Sequence, residues 1–126
     1  MFRMFVIITG ILDLLLGLFL AIPAIVKADP AAFLNPIMLG AFLMFCGACL
    51  IWAAHDIAAR APVIFWQGLV RLAAVATILI GLQAELVPSE NLIFALMDGI
   101  VGPVYLAGVI RSLRIAPFKI LIGRTT

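Results

Sequence analysis

Charge is scarce in this sequence. Asp, Glu, Lys and Arg together make up 11% of its 126 residues, and the net charge is only +2. Soluble domains carry about 25% charged residues. So thin and balanced a supply leaves no concentrated basic surface, and no nucleic-acid partner is expected. Histidine and tyrosine each occur once and cysteine twice. No Gly-rich phosphate loop, zinc motif or dinucleotide fingerprint is present, so neither a cofactor nor a catalytic set is expected. There is no low-complexity tract, and the two halves share too little for an internal repeat.

Apolar residues fill the space. They make up 67% of the chain, and the mean hydropathy is +1.34. A chain of this length makes a single domain, residues 1–126, and so small a globule cannot hide that much apolar surface. Lipid must be the solvent for much of it. Four runs are long enough to span a bilayer: 5–26, 36–54, 62–82 and 92–110, of 22, 19, 21 and 19 residues. About 20 residues rising 1.5 Å each cross a hydrocarbon core of about 30 Å. A membrane barrel would show alternating segments of about ten residues. These runs are continuously apolar, so each is expected to be a helix that satisfies its own backbone. The first run is longer than the apolar part of a signal peptide and contains Asp13, so it is read as a retained span.

Four spans put both termini and the middle loop on one side. That side carries Arg3, Arg60, Arg111, Arg114, Lys119 and Arg124; the other carries only Lys27. Six against one predicts that both termini are cytoplasmic. Trp52 and Trp66 flank the inner loop at the depth where indole rings favour the interface. The loops, 27–35, 55–61 and 83–91, are short. The expected fold is therefore an all-α integral membrane protein, an antiparallel up-down-up-down bundle. Asn35-Pro36 reads as an N-cap with proline in the first turn, and Ser89-Glu90 as the start of the fourth helix. Pro62 opens the third helix and Pro117 limits the fourth. Residues 111–126 form a cytoplasmic tail along the inner leaflet. The localisation this implies is a multi-pass membrane protein, in the inner membrane if the source is bacterial.

Three ionisable residues fall inside spans: Asp13, Arg71 and Asp98. Charges at that depth are costly unless paired and normally face the bundle interior. Asp13 lies about 12 Å in from the inner end of its run and Arg71 about 13 Å, so the two are level and expected to pair. Asp98 lies roughly 6–9 Å further out, although an arginine reaches toward either acid. Two acids and one arginine leave one negative charge in excess. Asp98, the less well matched in depth, is the acid expected to hold a proton part of the time. Small residues share these faces. Thr9, Asp13, Gly17 and Ala21 recur every four residues; Gln67, Gly68, Arg71 and Ala74 cluster on the third helix; Ala95, Asp98, Gly99 and Gly102 on the fourth. Gly40 and Gly47 are seven apart on the second. Small residues let membrane helices approach closely, and polar groups bond across them. Pro103 denies Gly99 its helical partner, so Gly99, Gly102 and Pro103 are expected to kink the fourth helix. Thr9, Gln67 and Tyr105 complete a possible polar lining.

Cys46 and Cys49 form a CxxC placed mid-helix, where buried cysteine behaves as a small hydrophobe. Their thiols remain weak candidates for a soft metal. His55-Asp56 reads as a solvated polar pair, and Ser89 falls on the opposite side of the membrane from it. The helix count, the chain length and Asp13 resemble the small multidrug-resistance transporters. Those proteins carry a glutamate in the first helix and often insert in both orientations. The aspartate and the six-to-one basic bias depart from that pattern, so membership is not claimed. The sequence thus supports a small structural or accessory membrane protein, non-enzymatic, working as a homo-oligomer or within a larger membrane complex. A proton-coupled transporter using Asp98 or Asp13 is the alternative, and a thiol or soft-metal protein using Cys46 and Cys49 a weaker one.

Overall fold

The computed structural model describes residues 1–124. Among them there is no strand. The elements are α1 (Phe2–Lys27), α2 (Leu34–Ala54), α3 (Ile57–Gln83), a 3₁₀ turn (Ser89–Asn91), α4 (Leu92–Leu113) and α5 (Pro117–Leu121). Among the described residues four helices are long and apolar enough to cross a membrane: α1, α2, α3, and α4 taken with its preceding turn. The chain divides into two compact units, Met1–Ile57 and the residues from Ala58 onward.

The first unit is an antiparallel hairpin whose contact is built from glycine. Gly10 meets Gly47, and Gly17 meets Gly40, each through backbone atoms. A Cβ on Gly17 would lie 2.5 Å from the Gly40 carbonyl, and one on Gly40 would lie 2.6 Å from the Gly17 carbonyl. Both pairs have the same register and are seven residues apart, two helical turns. A seven-residue repeat keeps one seam of an α-helix facing its partner, the geometry of left-handed membrane pairs. Val6, Ala21, Cys46, Leu50, Ala53 and Ala54 are the apolar residues buried in this unit. Phe19 and Phe45, both 73% exposed, point away from its core. α1 stops at Ala28, which takes the left-handed conformation (φ 48) and donates its N–H to the Ala24 carbonyl at 3.1 Å. The Asp29 carboxylate then accepts the Ala31 N–H at 3.0 Å and turns the chain toward α2.

The second unit pairs α3 with α4, again antiparallel: Gly68 meets Gly102 and Leu106, while Val75 lies beside Gly99. Ala61, Ile64, Phe65, Ala95, Tyr105 and Val109 are its buried side chains along these helices. α3 ends at a left-handed Glu85 (φ 56), with the Leu86 N–H bonded to the Gly81 carbonyl at 2.9 Å and the Glu85 N–H to the Leu82 carbonyl at 3.2 Å. That is a Schellman cap with glutamate where glycine is usual. α4 ends at a left-handed Arg114 (φ 54), whose N–H bonds the Ile110 carbonyl at 2.8 Å.

Several expected boundaries move. α1 and α3 run to 26 and 27 residues, because helix-forming residues continue beyond the apolar runs. Thus Ile57–Ala61 are already helical and Pro62 lies inside α3 rather than opening it. α2 begins at Leu34, so Asn35 and Pro36 sit in its first turn rather than capping it. The first four N–H groups of a helix have no internal partner, which lets proline stand at the third position without losing a bond. Ser89 and Glu90 lie in the 3₁₀ turn, and the residue before α4 is Asn91, whose side-chain amide donates to the Pro88 carbonyl at 3.2 Å. α4 continues to Leu113 without interruption at Pro103. The tail is not uniformly laid out: Pro117 opens α5, Ile120 is fully buried and Phe118 is exposed. The last two positions of the expected tail, 125 and 126, lie outside the described residues.

Candidate functional site: the Arg71–Asp98 pair between α3 and α4

The close contact of Gly68 with Gly102 sets the register of α3 on α4. A Cβ on either glycine would lie 3.1 Å from the other's carbonyl oxygen. One turn beyond Gly68 stands Arg71, and one turn before Gly102 stands Asp98. They meet: Arg71 Nη1 donates to Asp98 Oδ1 in a direct ion pair. The two side chains are 15% and 21% exposed. One further turn along α4 from Gly102, the ring of Tyr105 lies under the guanidinium, 5.7 Å from its carbon to the ring centroid, and Tyr105 is fully buried. A cation facing an aromatic ring gains about 0.5–2 kcal/mol, more as water is removed. The carboxylate and the ring therefore hold one cation between two helices at a place where an isolated charge costs about 2.5–3.5 kcal/mol.

Counting from the apolar runs set Asp98 well outside the level of Arg71. The observed helix ends remove that offset. Arg71 is fourteen residues after the start of α3 at Ile57, and Asp98 is fifteen before the end of α4 at Leu113. One residue of difference is about 1.5 Å. The error came from equating the ends of hydrophobic runs with the ends of helices.

Outward from the pair, α3 and α4 leave an open groove of about 300 Å³ lined by Val75, Leu79, Leu92, Ala95, Leu96, Gly99 and Ile100. Every lining residue is apolar. The groove suits hydrocarbon rather than an ion.

The other expected site residues lie on all four long helices. Asp13, 6% exposed, lies on the buried stripe of α1 that also carries Val6, Thr9, Gly10, Gly17 and Ala21. Thr9 donates its hydroxyl back to its own helix, 2.8 Å from the Phe5 carbonyl and 3.1 Å from that of Val6. Gln67 is half-buried. Gly99 sits at the groove with its nearest neighbour, Val75, 4.0 Å from a Cβ position, whereas Gly102 is held in the α3 contact. Pro103 is exposed on α4. Cys46 is buried and Cys49 exposed, so the two thiols occupy different surroundings. Among the described residues no three of His, Cys, Asp and Glu gather as a metal-binding group would.

Two positioning features were missed in the sequence. Gly10 pairs with Gly47, and its signal was the seven-residue spacing Gly10–Gly17 matching Gly40–Gly47. Trp66 donates its indole N–H to the Leu121 carbonyl at 3.3 Å, tying α5 to α3 across 55 positions, for which the sequence carries no pattern.

The sequence matches no protein-family model, no curated protein and no solved structure. The class is therefore drawn from the chain itself: four apolar helices suited to a small membrane protein, with Asp13 buried.

Proposed function

We propose that this chain is a small polytopic membrane protein of structural or accessory type, without catalytic activity, whose intramembrane charges fasten helices rather than carry ions. The observation that supports this most directly is the Arg71–Asp98 pair. The acid has its counter-ion, the cation has a ring beneath it, and the adjoining groove is apolar. Such pairs in membrane helices fix register at modest energetic gain. The basic residues favour cytoplasmic termini and a multi-pass placement, in the inner membrane of a bacterial cell if that is the source. Asp13 belongs to the same polar cluster, and Arg71→Leu made in an Asp13→Leu background tests it. Exposed apolar side chains such as Phe19, Phe45 and Ile80 are available to lipid, to a second copy or to a larger membrane complex.

The second reading is a small proton-coupled transporter working through Asp98 or Asp13. The residual exposure of Asp98 beside an open groove favours it. Proteoliposomes carrying a pH-sensitive dye separate the two. The structural reading predicts that an imposed pH gradient decays equally with the wild-type protein, Asp98→Asn and Asp13→Asn. Decay that is faster with the wild type and lost in both well-folded variants establishes the transporter and ends the structural reading.

A further inference from the structure

We infer that the end of the second unit bearing α5 is a docking surface for anionic phospholipid headgroups. Charge is sorted along this unit. Its acids are Glu85 and Glu90, in the link between α3 and α4, and Asp98, which is held by Arg71. After Asp98 the chain contains no Asp or Glu, yet it carries Arg111, Arg114, Lys119 and Arg124, all exposed.

The backbone brings these four together. Arg111 is in the last turn of α4 and Arg114 is its left-handed cap. Pro117 then starts α5, which places Lys119 in mid-turn. α5 closes with its own Schellman pattern: the Gly123 N–H bonds the Ile120 carbonyl at 3.0 Å and the Arg124 N–H bonds the Lys119 carbonyl at 2.8 Å. Gly123 has φ 76, a conformation that side chains resist, and no atom lies within 4 Å of its Cβ position. Glycine there folds Arg124 back onto Lys119 instead of letting it trail away.

The segment is fastened to the helices. Ile120 is fully buried and Trp66 holds the Leu121 carbonyl. Phe118 is 69% exposed, and the ring of Trp66 is half-exposed. Aromatic rings at the interface with fixed cations beside them match a surface of acyl chains topped by phosphates. Each Lys or Arg near an anionic bilayer contributes about a five-fold preference. This inference does not depend on which side of the membrane the end occupies, nor on whether the protein transports anything.

The test uses the full chain in nanodiscs of phosphatidylcholine, alone or with about one quarter phosphatidylglycerol. Lipid retained on release into detergent is read by native mass spectrometry, and thermal stability by circular dichroism. The expected result is selective retention of phosphatidylglycerol and a higher melting temperature in its presence. Lys119→Gln with Arg124→Gln should lower the retention ratio at least about five-fold. Gly123→Val, which retains every cation but strains the cap, should also lower it. Equal retention of the two lipids by the wild type overturns the inference. So does an unchanged ratio in a folded Lys119/Arg124 variant.

Discussion

The glycine seam between α1 and α2 makes a prediction whose sign can be worked out in advance. In Gly40→Ala the new Cβ falls 2.6 Å from the Gly17 carbonyl oxygen, 2.9 Å from the Ala21 Cβ and 3.1 Å from the Ala21 nitrogen. None of these atoms can swing aside by changing a rotamer, so the helices must separate by several tenths of an ångström. A gap of about 0.5–1 Å already forfeits a quarter to a half of each dispersion contact. Overpacking of this kind costs about 1–3 kcal/mol. The gain in helix propensity from glycine to alanine returns at most about 1 kcal/mol, so the variant should lose stability. Gly99→Ala is the counterpart with the opposite sign. Its nearest neighbour is Val75 at 4.0 Å. With no clash to offset it, propensity alone should stabilise by up to about 1 kcal/mol. Reversible unfolding of both variants in mixed micelles, followed by helical circular dichroism against added SDS, measures the two shifts. A Gly40→Ala protein as stable as the wild type, or equal shifts in both variants, refutes the close-packed seam.

Glu85→Gly should raise stability by about 0.5–1 kcal/mol, because the residue occupies a left-handed cap that glycine adopts without strain; the same unfolding assay measures it. Tyr105→Phe keeps a ring under the Arg71 guanidinium and Tyr105→Leu does not. The leucine variant should therefore be less stable than the phenylalanine variant by about 0.5–2 kcal/mol. Trp66→Phe removes the indole bond to Leu121. It should speed hydrogen exchange in residues 117–121 while changing global stability by less than about 1.5 kcal/mol.

Helix number and type were legible because a bilayer imposes its thickness on an apolar run, and nothing else in the sequence competes with that signal. The burial of Asp13 followed from the same physics: an acid in a span must avoid lipid. The contact of Arg71 with Asp98 was less legible. It depends on register, and register is set by how closely Gly68 and Gly102 approach, not by where hydrophobicity fades. The small-residue pattern did mark the touching faces, yet the stricter signal, the paired seven-residue glycine spacings, was seen on α2 and overlooked on α1. Proline misled twice. Pro62 and Pro36 read as helix starts, but a proline within the first turn or two removes at most one bond and can be carried inside a helix. The anchoring of α5 by Trp66 joins residues far apart in the chain, and no local pattern encodes it.

The claim that buried charge serves as a fastening is tested most directly by a double-mutant cycle on Arg71 and Asp98, read by reversible unfolding. Arg71→Leu strands the acid and Asp98→Leu removes a counter-ion of the cation; each should cost about 2–4 kcal/mol. The double variant should recover most of that loss, a coupling of at least about 1.5 kcal/mol between the two sites. Single losses that simply add in the double variant would show that the pair does not hold α3 to α4, and would contradict the central claim.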